Sequence, residues 1–292
     1  MTLLTKILAQ WYYRILIFIL LCFAYYLLAV LTSPNSFLIQ QELIVLYLLC
    51  CSFLIEGLRA NGKISNVGFS FSKYSVSEFF YGALYALIPL SIIVCFAYLF
   101  GASIRLQDSF DRSLFFHAVN VMFFVALFEE LVFRGIIFQS LSERLGSIAA
   151  TLILSLLFGI AHLLNPNTSL IPILNVVLAG VLLSAMYIAT KNLWMSIAFH
   201  FVWNFALGTV FNSPVSGIQK SGTSLLLIDW NKVNGLYLLL FGGNFGLEGG
   251  ILTTGLLIIL ILFVSRFHTP SPFTVANLYR RYFAEQQLLS KS

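Results

Sequence analysis

The chain alternates long apolar runs with short polar breaks, and many of the runs are long enough to cross a membrane. A helix needs about 20 mainly apolar residues to span the bilayer core. Eight windows approach that length: residues 15–32, 42–58, 78–100, 113–139, 148–164, 170–189, 193–212 and 249–266. The pattern predicts an all-α, polytopic membrane helix bundle of about eight transmembrane helices. The longest connection, 213–248, is predicted to be irregular, with PVSG at 214–217 and GGNFGLEGG at 242–250 supplying tight turns. Its apolar patches, LLLI at 225–228 and LYLLLF at 236–241, should fold back onto the outer face. No internal repeat and no soluble domain is visible. The chain divides into N-terminal helices (1–112), a central helical core (113–212), and an outer loop with a last helix and a tail (213–292).

Composition removes the alternative of a soluble domain: 60% of residues are hydrophobic, 9% are charged, and the mean hydropathy is +0.94. The net charge of +5 matters through its distribution, because cytoplasmic segments retain Lys and Arg. With the N-terminus inside, 12 of the 16 basic residues fall on the cytoplasmic side, and Arg105, Arg112, Lys220 and Lys232 fall outside. Both termini are therefore expected in the cytoplasm of a multi-pass cell-membrane protein, with the lipid bilayer as a partner and no nucleic acid. The first apolar run exceeds a signal peptide's core, has no clear cleavage site after it, and reads as an anchor. The tail, with Arg280 and Arg281, should lie along the cytoplasmic surface. Cys22, Cys50, Cys51 and Cys95 fall within spans, with neither disulfide nor zinc spacing.

Ionisable residues inside such spans are costly and normally face the bundle interior or a cavity. VALFEELVFRG, 125–135, carries three of them. Glu130 and Arg134 are four apart on one helix face and can pair, whereas Glu129 points about 100° away and has no partner within the helix. Phe158 and His162 lie one turn apart on the fifth span, and His200 and Asn204 one turn apart on the seventh. Counted at about 1.5 Å per residue from the helix ends, Glu129, His162 and His200 differ in depth by about 14 Å, which tilt can absorb. A carboxylate and an imidazole can activate water, while a second imidazole and an amide can donate to an oxyanion. His117 and His268, near span ends, read as interfacial residues.

These three motifs in order, Glu129-Glu130-x-x-x-Arg134, Phe158-x-x-x-His162 and His200-x-x-x-Asn204, resemble the signature of the CPBP family of intramembrane CAAX proteases and bacteriocin-processing enzymes. The resemblance covers about residues 113–212, with weaker similarity in PVSG and FGLEGG. It implies an eight-helix bundle with a catalytic cavity opening to the cytoplasm, and cleavage of a membrane-associated peptide or protein. It implies that Glu129 with His162 activates water, that His200 and Asn204 form the oxyanion hole, and that Glu130 and Arg134 brace the helix. Glu129, His162 and His200 could make an open zinc site. No HExxH helix is present, and a water activated by glutamate without metal is equally compatible. Two other functions stay open: a non-catalytic bacteriocin-immunity or membrane scaffold protein, and a transporter, although no repeated halves appear.

Overall fold

A computed structural model describes residues 3–32, 37–59, 67–219, 224–230 and 236–267. Lys63, Lys220, Lys232, His268 and the tail with Arg280 and Arg281 lie outside the described residues. The helices in chain order are α1 (Leu3–Ala9), α2 (Trp11–Thr32), α3 (Phe37–Leu58), α4 (Ser75–Leu99), α5 (Arg112–Arg134), α6 (Ile136–Leu145), α7 (Ser147–Ala161), α8 (Leu170–Thr190), α9 (Trp194–Phe205), α10 (Leu236–Phe241) and α11 (Ile251–Phe267). Among the described residues, three helices are long and apolar enough to cross a membrane by themselves: Trp11–Leu28, Ser75–Leu99 and Leu170–Thr190. Ser147–Ala161 and Ile251–Arg266 are apolar but shorter.

The all-α expectation needs one correction, because two outer connections pair as a small antiparallel sheet. β1 (Ser103–Leu106) runs against β2 (Leu226–Asp229), with Ser103 opposite Asp229 and Leu106 opposite Leu226. Residues 226–229 of the predicted irregular loop thus satisfy backbone groups by pairing, and its second apolar patch forms α10.

The fourth predicted span, 113–139, is also corrected. Asp111 caps α5, its carboxylate accepting from the amides of Ser113 (2.8 Å) and Leu114 (3.1 Å). The helix then breaks at Gly135, where φ −76° and ψ −129° leave the helical region. A Cβ there would meet the Leu131 carbonyl oxygen at 2.2 Å, so only glycine makes this bend without displacing backbone. The chain re-forms as α6, whose Ser140 and Glu143 turn to Arg14 on α2. On α9, the predicted span 193–212 ends in a π-helical turn, Ala206–Val210, just after the site residues.

α8 and α9 lie at the centre. α4 packs along α9, α7 and α11 pack along α8, and α5 rests on α3 and α9. Gly82 on α4 lets α9 approach so closely that a Cβ would sit 2.2 Å from the Met195 carbonyl oxygen. One apolar core fills the space among α4, α8, α9 and α11 with Leu90, Ile93, Leu182, Phe199 and Leu257. A second joins α1–α3 to α5–α7 through Phe18, Leu48, Leu131 and Phe138.

The two ends of the bundle differ chemically. At one end Arg59 makes two 2.9 Å bonds to Glu143, which also binds Arg14, and Asn192 binds Glu78 at 2.8 Å. Burial works to raise the Glu143 carboxyl, but the bonds and charge of Arg59, with those of Arg14, outweigh it and hold the group below the usual carboxylate range. A group so depressed stabilises the fold above its unfolded value, near 4.3, and that stability is lost as pH falls through the lower folded value. The expected result is a thermal-stability advantage of wild type over Glu143→Gln that is full at pH 6 and disappears well below pH 4. Melting the two proteins in one detergent across this range checks it, and an advantage independent of pH would refute the pairing. At the opposite end lie the sheet and the loops after α7 and α9, tied by Asn165 Nδ2 to the Ser216 carbonyl (3.0 Å) and by the Gly217 amide to the Phe245 carbonyl (2.9 Å).

Candidate active site

The sequence candidates come together. Glu129, His162, His200 and Asn204 all line one cavity of about 380 Å³, walled by Phe128 and Phe133 of α5, Phe158 of α7 and Ala179 of α8. His117, by contrast, is exposed near the start of α5.

Glu130 and Arg134 sit beneath the cavity, both with 0% exposure. Arg134 Nη1 donates to Glu130 Oε1 at 2.9 Å and Nη2 to the Gly180 carbonyl at 3.0 Å, linking α5 to α8. His200 Nδ1 lies 2.9 Å from the same Glu130 oxygen. Glu130 is therefore more than the brace of its own helix, since it also fixes the imidazole on α9. A carboxylate accepts, so Nδ1 carries the proton and Nε2 is the nitrogen that faces Glu129 Oε2, 3.6 Å away. Glu129 is about one quarter exposed (24%). Its Oε2 is itself buried and, among the described residues, has no hydrogen-bond partner.

Phe158 joins the other members. Its carbonyl accepts from His162 Nδ1 at 2.7 Å, which leaves His162 Nε2 as the basic nitrogen. Its ring lies 4.7 Å from the His162 ring, 6.1 Å from the His200 ring and 5.1 Å from the Arg134 guanidinium. Asn204, one turn beyond His200 on α9, is buried at the cavity wall.

The sequence reading missed Glu248, Trp203 and Asn175, which also line the cavity. Glu248 accepts from Trp203 Nε1 at 3.0 Å and from the Ser216 amide. Asn175 Nδ2 holds the carbonyls of Glu248 (2.8 Å) and Gly250 (2.9 Å). The PVSG and FGLEGG segments are thereby clamped together against α8 and α9. The one available signal was a lone carboxylate in an otherwise uncharged glycine-rich turn. Glu248→Ala should lower stability by about 1 to 3 kcal/mol, because it strands the buried Trp203 indole N–H and the part-buried Ser216 amide. Glu248→Gln, which keeps an acceptor, should lose less. Thermal unfolding of both variants tests the clamp, and two unchanged melting temperatures would remove it.

Among the described residues no three His, Cys, Asp or Glu side chains gather closely enough to hold a metal ion. Glu129 and His200 approach each other directly, and the Nδ1 atoms of both histidines are engaged, with Phe158 and with Glu130. With both Nδ1 atoms bonded, each ring keeps its Nε2 free, as zinc-binding histidines do, and the three side chains would have to draw closer to share an ion.

A carboxylate, two imidazoles and an amide thus line one cavity inside an apolar helix bundle. The family described as "Type II CAAX prenyl endopeptidase Rce1-like" matches residues 111–206, the segment from the α5 cap to the end of α9 that carries all three motifs. The chain is also 28% identical over 202 residues to the "Putative membrane peptidase YdiL" of Bacillus subtilis, covering 67% of this chain and 77% of that one. No solved structure matches the chain significantly. Both findings support the CPBP, or CAAX protease, family that the motifs resemble.

Proposed function

We propose that the chain is an intramembrane endopeptidase that hydrolyses a peptide bond of a membrane-associated peptide or protein with a water activated by Glu129 and His162. The observation that carries this reading is the gathering of Glu129, His162, His200 and Asn204 from three helices around one cavity. Water attacks the peptide carbonyl carbon while Glu129 takes its proton, and the free Nε2 of His162 orients it. The carbonyl oxygen becomes an oxyanion between Asn204 and a protonated Nε2 of His200, whose ring Glu130 holds in place. Glu129 then returns the proton to the leaving nitrogen, the C–N bond breaks, and a carboxylate and an amine remain. No step passes through a metal. The eight-span topology with both termini cytoplasmic belongs to the same proposal and rests on the distribution of basic residues. Arg134, counted on the cytoplasmic side, is buried in the core and drops out, which leaves an 11-to-4 asymmetry.

Asn204→Ala tests the oxyanion assignment. One lost donor typically costs about 2.7 to 4 kcal/mol of transition-state stabilisation, so kcat should fall by about 10²- to 10³-fold with little change in KM. Steady-state cleavage of a membrane-bound peptide by the purified variant measures the split. A rise in KM with unchanged kcat would assign Asn204 to substrate binding instead.

A further inference from the structure

The cavity is closed at one end of the bundle and bounded by exposed residues at the other. Toward the end that carries Arg59, Lys73, Arg144 and Lys191, its floor is Leu183 and Phe199, 1% and 2% exposed. Among the described residues, Leu131, Met186, Leu193 and Ile197 beyond that floor are fully buried, and their close packing leaves no room for water between them. At the opposite limit the lining comes from the end of α7 and from the loops after α7 and α9. Ala161 is exposed there, Ile218 is 44% exposed, and His162, Asn165 and Ser216 are partly exposed. Of the two helices that carry the motifs on either side of the cavity, α5 packs on α3, α6 and α9, while α7 packs on α6 and α8. The two meet at Phe133 against Phe158, below His162.

The open end is therefore the one poor in basic residues, where Arg105 sits in β1 and Arg112 starts α5. Lys and Arg are retained on the cytoplasmic side, so this end is extracytoplasmic. We infer that substrate enters the cavity from the extracytoplasmic side, past Ala161, Asn165 and Ile218. The substrate class is then a peptide segment presented at the outer face of the membrane, and a cytoplasmic chain terminus is excluded from it. This departs from the cytoplasmic opening that the motif resemblance implies. The inference rests on the protease reading for its substrate but not for its route.

The test uses full-length protein in right-side-out membrane vesicles, with Cys22, Cys50, Cys51 and Cys95 replaced by Ser or Ala and one cysteine introduced at a time. The probe is a small, membrane-impermeant, charged thiosulfonate. Ile218→Cys at the rim and Glu129→Cys within the cavity should react to the same extent before and after permeabilisation. Lys191→Cys should react only afterwards. Reaction of Ile218→Cys and Glu129→Cys only after permeabilisation would overturn the inference. So would no reaction at either position while Lys191→Cys reacts in permeabilised vesicles, because the opening would then be sealed. Labelling does not depend on turnover. A cleaving enzyme labelled only from the cytoplasmic side would sink the route alone, and an inactive protein labelled from outside would sink the protease reading alone.

Discussion

Arg134→Ala is expected to destabilise the protein by about 3 to 5 kcal/mol, the cost typical of breaking a buried ion pair from one side. The guanidinium is fully buried and binds Glu130 at 2.9 Å and the Gly180 carbonyl at 3.0 Å. Its removal leaves the Glu130 charge with His200 as its remaining partner, and opens a void beside Phe133 and Phe158. Arg134→Lys should rescue poorly, since one ammonium cannot reproduce the planar fork that reaches two acceptors on different helices. A combined Glu130→Gln, Arg134→Met variant should recover part of the loss, because it removes both buried charges together. Thermal unfolding in detergent provides the comparison. A wild-type melting temperature for Arg134→Ala would mean that the pair does not hold α5 to α8.

Glu129→Gln should behave in the opposite way, with stability kept and turnover lost. The side chain is partly exposed to the cavity, and its Oε2 has no hydrogen-bond partner among the described residues, so the amide replaces it at little structural cost. What the amide cannot do is accept the water's proton, and general-base catalysis is worth about 10²- to 10⁴-fold. Loss of activity together with a fallen melting temperature would instead place Glu129 with Glu130 and Arg134 as a support of the fold.

Much of this was legible in the sequence because membranes punish misplaced polarity. Apolar length located the long apolar helices but neither α1 nor α6, and the price of charge in lipid singled out Glu129, Glu130 and Arg134. Spacing by fours put Glu130 with Arg134, and His200 with Asn204, on shared faces. Periodicity could not show that α5 breaks at Gly135, since a single glycine inside an apolar run is compatible with a continuous helix. The bond from His200 to Glu130 was hidden for a different reason: it joins helices 70 residues apart, and side-chain register between helices is set by packing. Glu248 was hidden by its setting, because FGLEGG reads as turn chemistry until Trp203 and Ser216 are seen to bind its carboxylate. The side on which the cavity opens depends on which loops fold over it, and no local pattern carries that.

The central claim is that Glu129 activates the hydrolytic water without a metal. It is tested most directly by mass spectrometry of a membrane-bound peptide incubated with purified wild-type or Glu129→Gln protein, each shown metal-free by elemental analysis. The account predicts cleavage products from wild type and none above background from a Glu129→Gln protein that melts at the wild-type temperature. Equal cleavage by the two proteins, or cleavage by wild type that returns only when a divalent metal is restored, would contradict it.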